Sequence, residues 1–158
     1  MELPQLTYEW VQDSLFPFAF QRNQLLQIQY KNQAGVIHPI LHYPQLKADL
    51  FLTYRSIKEP DQLALWQEQA RKMVYDHAQK ASRIEEIPID YPQKQGVFYV
   101  LKGEVATNFQ FYFTDQRRHF VRGAFYFQAV PNQDSLAPFA AYAEADLWQI
   151  ISSWTWKK

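Results

Sequence analysis

Polar and apolar residues alternate along this chain at two different periods, and the period decides which element each stretch can form. Leu25 to Tyr30 sets Leu26, Ile28 and Tyr30 against polar neighbours, and Val36 to His42 is a second short apolar run. Both predict strands. Within Ala48 to Arg55, Leu50, Leu52 and Tyr54 share one face while Phe51 and Thr53 share the other, the two-residue repeat of a strand. Pro60 then suits a first helical turn. Leu63, Trp66, Ala70, Met73, Val74, His77 and Ala81 return at helical spacing, opposite Gln67, Glu68, Arg71, Lys72 and Lys80. A long amphipathic helix from about Asp61 to Ala81 follows.

The second half reads mainly as strands. Ile84 to Ile89 alternates weakly, Pro92 to Gln95 marks a turn, and Val97 to Lys102, Phe109 to Thr114 and His119 to Val130 have strong β character. The polar connection Thr114 to Arg118 is short enough for a hairpin, which makes the last two strands antiparallel neighbours. Pro131 to Asp134 breaks the final strand, Asp134 or Ser135 can cap a terminal helix, and Pro138 falls in the tolerated first turn. Phe139, Tyr142, Ala143, Leu147, Ile150, Ile151 and Trp154 form the stripe of that helix.

This order predicts an α+β fold: a mostly antiparallel β-sheet flanked by a long mid-chain helix and a C-terminal helix, with residues 1–158 as one domain. Both faces of the late strands are apolar. Phe109, Phe111 and Phe113 oppose Tyr112, and Phe120, Ala124 and Tyr126 oppose Val121, Phe125 and Phe127. Either one helix covers each face, or both lie on one face and a partner protein covers the other.

Composition narrows the function. Hydrophobic residues make up 47% of the 158 residues, which excludes the composition of a disordered chain. Aromatic residues reach 17%, the material of cores and interfaces alike. Sixteen basic residues balance sixteen acidic ones, so no large field is available to hold nucleic acid. The absence of cysteine removes thiolate catalysis, thiolate metal sites and disulfides together. No stretch approaches the ~20 apolar residues that span a bilayer.

Reaction chemistry finds little purchase, so no catalytic residue, metal ligand or cofactor is assigned. His38 and His42 lie four apart, a spacing that suits a metal on a helix, but Pro39 between them argues for extended chain. His77 sits on an apolar stripe and reads as a hydrogen-bonded core residue. No G-x-S-x-G elbow is present, and Asp134 with Ser135 is explained by a helix cap. Glu85 and Glu86 point to opposite faces of a strand, and the four glycines are too scattered to cradle a phosphate. Arg117, Arg118 and Arg122 with His119 make one local basic cluster, suited to an acidic partner or a sugar.

Longer segments resemble a known family. Tyr43 to Tyr54, the helix end His77 to Ala81 with Ile84-Glu85-Glu86, Gln110 to Asp115, His119 to Phe127, Pro131 to Ser135 with Pro138, and the closing Trp156-Lys157 are similar, in order and spacing, to the gliding motility lipoprotein GldD family of Bacteroidetes. The likeness runs over residues 41–158, with 1–40 as the N-terminal part. It implies a non-enzymatic cell-envelope component that faces the periplasm and serves gliding motility and type IX secretion. It also implies a membrane held only through an N-terminal lipid anchor absent from this chain, and other gliding or secretion envelope proteins as partners. The expected interaction surface is Tyr112, Asp115, Arg118, His119, Arg122, Tyr126, Asn132 and Asp134. A periplasmic small-molecule or glycan-binding module is the alternative, and a hydrolase with a convergent site stands third.

Overall fold

Two antiparallel meanders, joined by a helix that crosses one face, build the main sheet. The computed structural model describes residues 3, 5–34, 36–77, 81–103, 108–128 and 133–157. Its elements are β1 (Tyr8–Val11), β2 (Phe18–Asn23), β3 (Gln27–Gln33), β4 (Val36–Tyr43), β5 (Ala48–Ser56), α1 (Gln62–His77), β6 (Ala81–Tyr91), β7 (Lys94–Gly103), β8 (Asn108–Thr114), β9 (His119–Phe127), α2 (Gln133–Ser153) and β10 (Thr155–Trp156). The seven-stranded sheet runs β3-β4-β5-β9-β8-β7-β6, and a three-stranded sheet runs β1-β2-β10. The expected α+β class and the hairpin pairing of β8 with β9 are both present.

Register assigns the side chains to faces. Leu50 pairs with Phe125, Phe109 with Phe125, and Phe98 with Phe111, so one face carries Leu41, Leu50, Leu52, Phe98, Phe109, Phe111, Phe113, Val121 and Phe125, all buried. Ala143, Leu147, Ile150 and Ile151 of α2 pack there with Phe18 and Phe20 of β2. Trp154 joins the layers: its ring stacks on Phe18 at 4.3 Å and on Phe20 at 5.1 Å, and meets Phe113 edge-on at 5.3 Å. Such ring pairs add about 0.5–1.5 kcal/mol each beyond the area they bury. Gly123 makes this packing possible, because the Phe111 ring lies where a side chain would stand: a Cβ at Gly123 would come within 2.1 Å of it.

The opposite face is only partly covered. Val74 of α1 is buried against Tyr99 and Leu101, with Val97 and Tyr112 packed around them, and Trp66 meets Phe120 at 5.7 Å. Thus each helix covers one face, the first of the two arrangements expected. No helix among the described residues covers the region around Phe51 on β5, and Phe51 is 40% exposed.

Several boundaries differ from expectation. Helix α1 ends at His77, and Ala81 already belongs to β6, a strand of 11 residues where only a weak alternation was legible. Residues 78–80 and the His77 side chain lie outside the described residues. Helix α2 starts at Gln133, so Asp134 and Ser135 lie inside its first turn and not at the cap, and Pro138 lies within the helix beyond that turn. Strand β9 ends at Phe127, short of the expected Val130. The small sheet was not anticipated. Its β10 has two residues and pairs with β2 across most of the chain length, which no local pattern can announce.

Candidate functional site

Two surfaces carry the residues singled out by the sequence, and the fold separates what looked like one cluster. The first lies at the β8–β9 hairpin. Asp115 follows β8, and its Oδ1 accepts the backbone N–H groups of Arg117, Arg118 and His119 at 3.0, 2.9 and 2.9 Å. Burial pushes this carboxyl up, but the three N–H donors outweigh it and hold the group below the usual carboxylate range. Gln116 takes a left-handed backbone, φ 66°, to close the turn.

Beside that turn is a cleft of about 400 Å³, lined by Gln93, Asp115, Arg117, Arg118, His119, Trp156 and Lys157. His119 Nδ1 lies 2.6 Å from the Tyr54 hydroxyl, and its ring stacks on Trp156 at 4.5 Å with 9° between planes. Trp156 is fixed in turn, its Nε1 donating to the Gln93 carbonyl at 2.9 Å. Burial lowers the pKa of His119 and raises that of Tyr54, so both groups favour their neutral forms. An activated tyrosine oxygen would need the opposite shift.

The second surface is the part of the sheet that α1 leaves open. Phe51 sits between Ile40 on β4 and Ala124 on β9, with the Tyr126 ring 6.3 Å away. Arg122 donates to Gln110 Oε1 at 2.8 Å, and the Gln110 amide reaches the Tyr126 hydroxyl at 3.5 Å. At the other border, Asp49 bonds His42 Nδ1 at 2.7 Å and accepts from Gln128 at 2.6 Å. His38 shares this face, and its Nδ1 is buried with no hydrogen-bond partner among the described residues. No group of three His, Cys, Asp or Glu placed to hold a metal occurs among the described residues.

The structure therefore brings Asp115, Arg118 and His119 together at the cleft and places Arg122 and Tyr126 on the open face. Tyr112 belongs to neither surface, because it packs under α1 and stacks on Phe120 at 5.8 Å. Most of the late-strand rings are core, with Phe111 and Phe125 fully buried. Strand alternation made the difference, since His119 and Arg122 are three apart and so face opposite ways. Asn132 lies outside the described residues, as does the side chain of Asp134. Glu85 and Glu86 are engaged separately, Glu85 with Arg83 and Lys102 and Glu86 with the Tyr75 hydroxyl.

Sequence reasoning missed Tyr54, Gln93 and Trp156 at the cleft, which tertiary folding brings there from β5, the β6–β7 turn and β10. It also missed Asp146, a fully buried acid whose Oδ2 accepts from the Tyr43 hydroxyl at 2.7 Å while Oδ1 has no partner among the described residues. Burial raises its pKa to about 6, against the opposing pull of the Tyr43 and Tyr8 hydroxyls. A signal for it existed: Asp146 stands three after Ala143 and four before Ile150, on the apolar stripe itself.

Among solved structures, the chain is similar to the solution structure of cyanobacterial PsbP (CyanoP) from Synechocystis, with a TM-score of 0.56 at 12% identity, over 98% of this chain and 95% of that one. At that identity the likeness shows a common fold alone. No curated protein matches the sequence. No helix among the described residues is long and apolar enough to cross a membrane. The family model described as gliding motility lipoprotein GldD matches residues 1–156, extending the likeness read from residue 41 onward into the N-terminal strands, and the chain belongs to that family.

Proposed function

We propose that this chain is a non-enzymatic, periplasm-facing accessory component of the gliding motility and type IX secretion machinery, and that it works by protein contact through the open sheet face. The observation that carries the reading is Phe51, 40% exposed on an interior strand of a sheet whose other large rings are mostly covered. Around it stand Tyr126 and, as a polar rim, Arg122, Asp49 and His42. An aromatic centre with a polar border is the anatomy of a protein interface. Family membership supplies the link to gliding, and a lipoprotein family supplies the envelope anchor.

The test is a photo-crosslinking residue placed at Phe51 in the full-length protein in gliding cells, with one at Glu68 on the exposed side of α1 as control. The reading expects a crosslink from position 51 to a motility or secretion component, and loss of gliding in Phe51→Glu at normal protein level. A crosslink no stronger than that from Glu68, together with normal gliding of the variant, overturns it.

A further inference from the structure

The hairpin cleft lies apart from the open sheet face, and its lining is of a different character. Three cations, Arg117, Arg118 and Lys157, line it with Asp115, the one acid among the described residues of the lining, in a chain whose formal charges cancel. That carboxylate is already engaged, because its Oδ1 holds the three N–H groups of the turn. Arg117 and Arg118 are exposed, and neither makes an ion pair among the described residues. Lys157 Nζ donates to the backbone carbonyl of Asp13 at 2.6 Å, a neutral partner that leaves its charge uncancelled. Paired guanidinium groups on one turn suit a carboxylate, which they can grip in bidentate fashion.

Ring geometry argues against a sugar. Trp156 gives one face to His119 and is crowded by Trp154 at 5.8 Å, Phe113 at 5.9 Å and Tyr54 at 6.4 Å, which makes the ring a poor platform for a pyranose. The backbone argues for a peptide. Strand β10, which ends in Trp156, is an edge of the small sheet, paired with β2 on one side only. An edge strand presents main-chain groups to an incoming extended segment, and a cleft of about 400 Å³ has room for a few residues of it.

We infer that the cleft formed by the β8–β9 hairpin and β10 binds an extended acidic peptide segment of a partner protein, its carboxylate gripped by Arg117 and Arg118 and its backbone running along Trp156. The hydrogen bond between the Tyr54 hydroxyl and His119 Nδ1 holds the His119 ring where it stacks on Trp156.

Calorimetric titration of the chain with a short blocked peptide of alternating valine and glutamate tests this, with its valine-glutamine counterpart and free glutarate as comparisons. The glutamate peptide is expected to bind and to perturb the Trp156 indole N–H resonance. The glutamine peptide and the Arg117→Gln/Arg118→Gln double variant are each expected to bind at least about tenfold more weakly, the loss of roughly one charge-assisted hydrogen bond. Circular dichroism checks that the double variant keeps its fold, and Phe51→Glu should bind the peptide normally, which keeps this test apart from that of the sheet face. Absence of binding at millimolar peptide, equal affinity for the two peptides, an unchanged double variant, or glutarate binding as tightly as the peptide would each overturn the inference.

Discussion

Replacing Asp146 by asparagine should remove a pH dependence that this one side chain imposes on the stability of the fold. Desolvation raises its pKa from 3.8 to about 6, although the hydroxyls of Tyr43 and Tyr8 favour the charged form. The folded state therefore holds the proton more tightly than the unfolded chain does. Stability from this group is complete below the ordinary carboxylate range and is lost as pH rises through about 6. A displacement of roughly two units corresponds to about 3 kcal/mol at 1.36 kcal/mol per unit, and the burial of Asp146 keeps solvent from screening it. Asparagine is nearly isosteric, can still accept from Tyr43, and does not titrate. Urea unfolding of both proteins between pH 4 and pH 8 supplies the assay. Shared carboxylates cancel in the difference between the two curves, so the wild type should lose up to about 3 kcal/mol relative to Asp146→Asn across that range. A difference that stays flat with pH, or that grows in favour of the wild type as pH rises, refutes the reasoning.

Other substitutions test the packing and the turn. Gly123→Ala should destabilise by about 1–3 kcal/mol or more, because its Cβ would meet the Phe111 ring at 2.1 Å and the core must shift to admit it; a thermal melt reads the loss. Lys94→Met should cost about 1–3 kcal/mol in urea, since Lys94 Nζ donates at 2.8 Å to the carbonyls of both Ile151 and Ser152 and satisfies the C-terminal end of α2. Burial lowers the Lys94 pKa to about 8, so the folded chain releases that proton more readily than the unfolded one. The cost of holding the charge is present below about 8 and is relieved as pH rises toward 10.5. Asp115→Ala should lose about 1–3 kcal/mol near neutral pH with the three hydrogen bonds of the hairpin. Because the folded pKa of Asp115 is depressed, its contribution is present above the ordinary carboxylate range and disappears on acidification, so this variant and the wild type should converge at low pH in the same melts.

Local pattern was enough for the elements whose cause is local. The alternation of Phe109, Phe111 and Phe113 against Tyr112 assigned the faces of β8 correctly, as did Leu50, Leu52 and Tyr54 against Phe51 on β5, because a strand turns each successive side chain over by its own geometry. The core of α1 followed from helical spacing for the same reason. Its end did not, since the handover from helix to β6 depends on pairing with β7. Tertiary structure alone decided the rest. It joined Trp156 near the C-terminus to Gln93 and His119, and it sent Arg122 to the opposite face from His119. It also left Phe51 partly exposed while Phe111 and Phe125 went into the core. Sequence determines what each residue presents to its immediate neighbours. Which surface remains open depends on where α1 crosses the sheet, a compromise among contacts far apart in the chain, and so the candidate sites became visible only in the folded molecule.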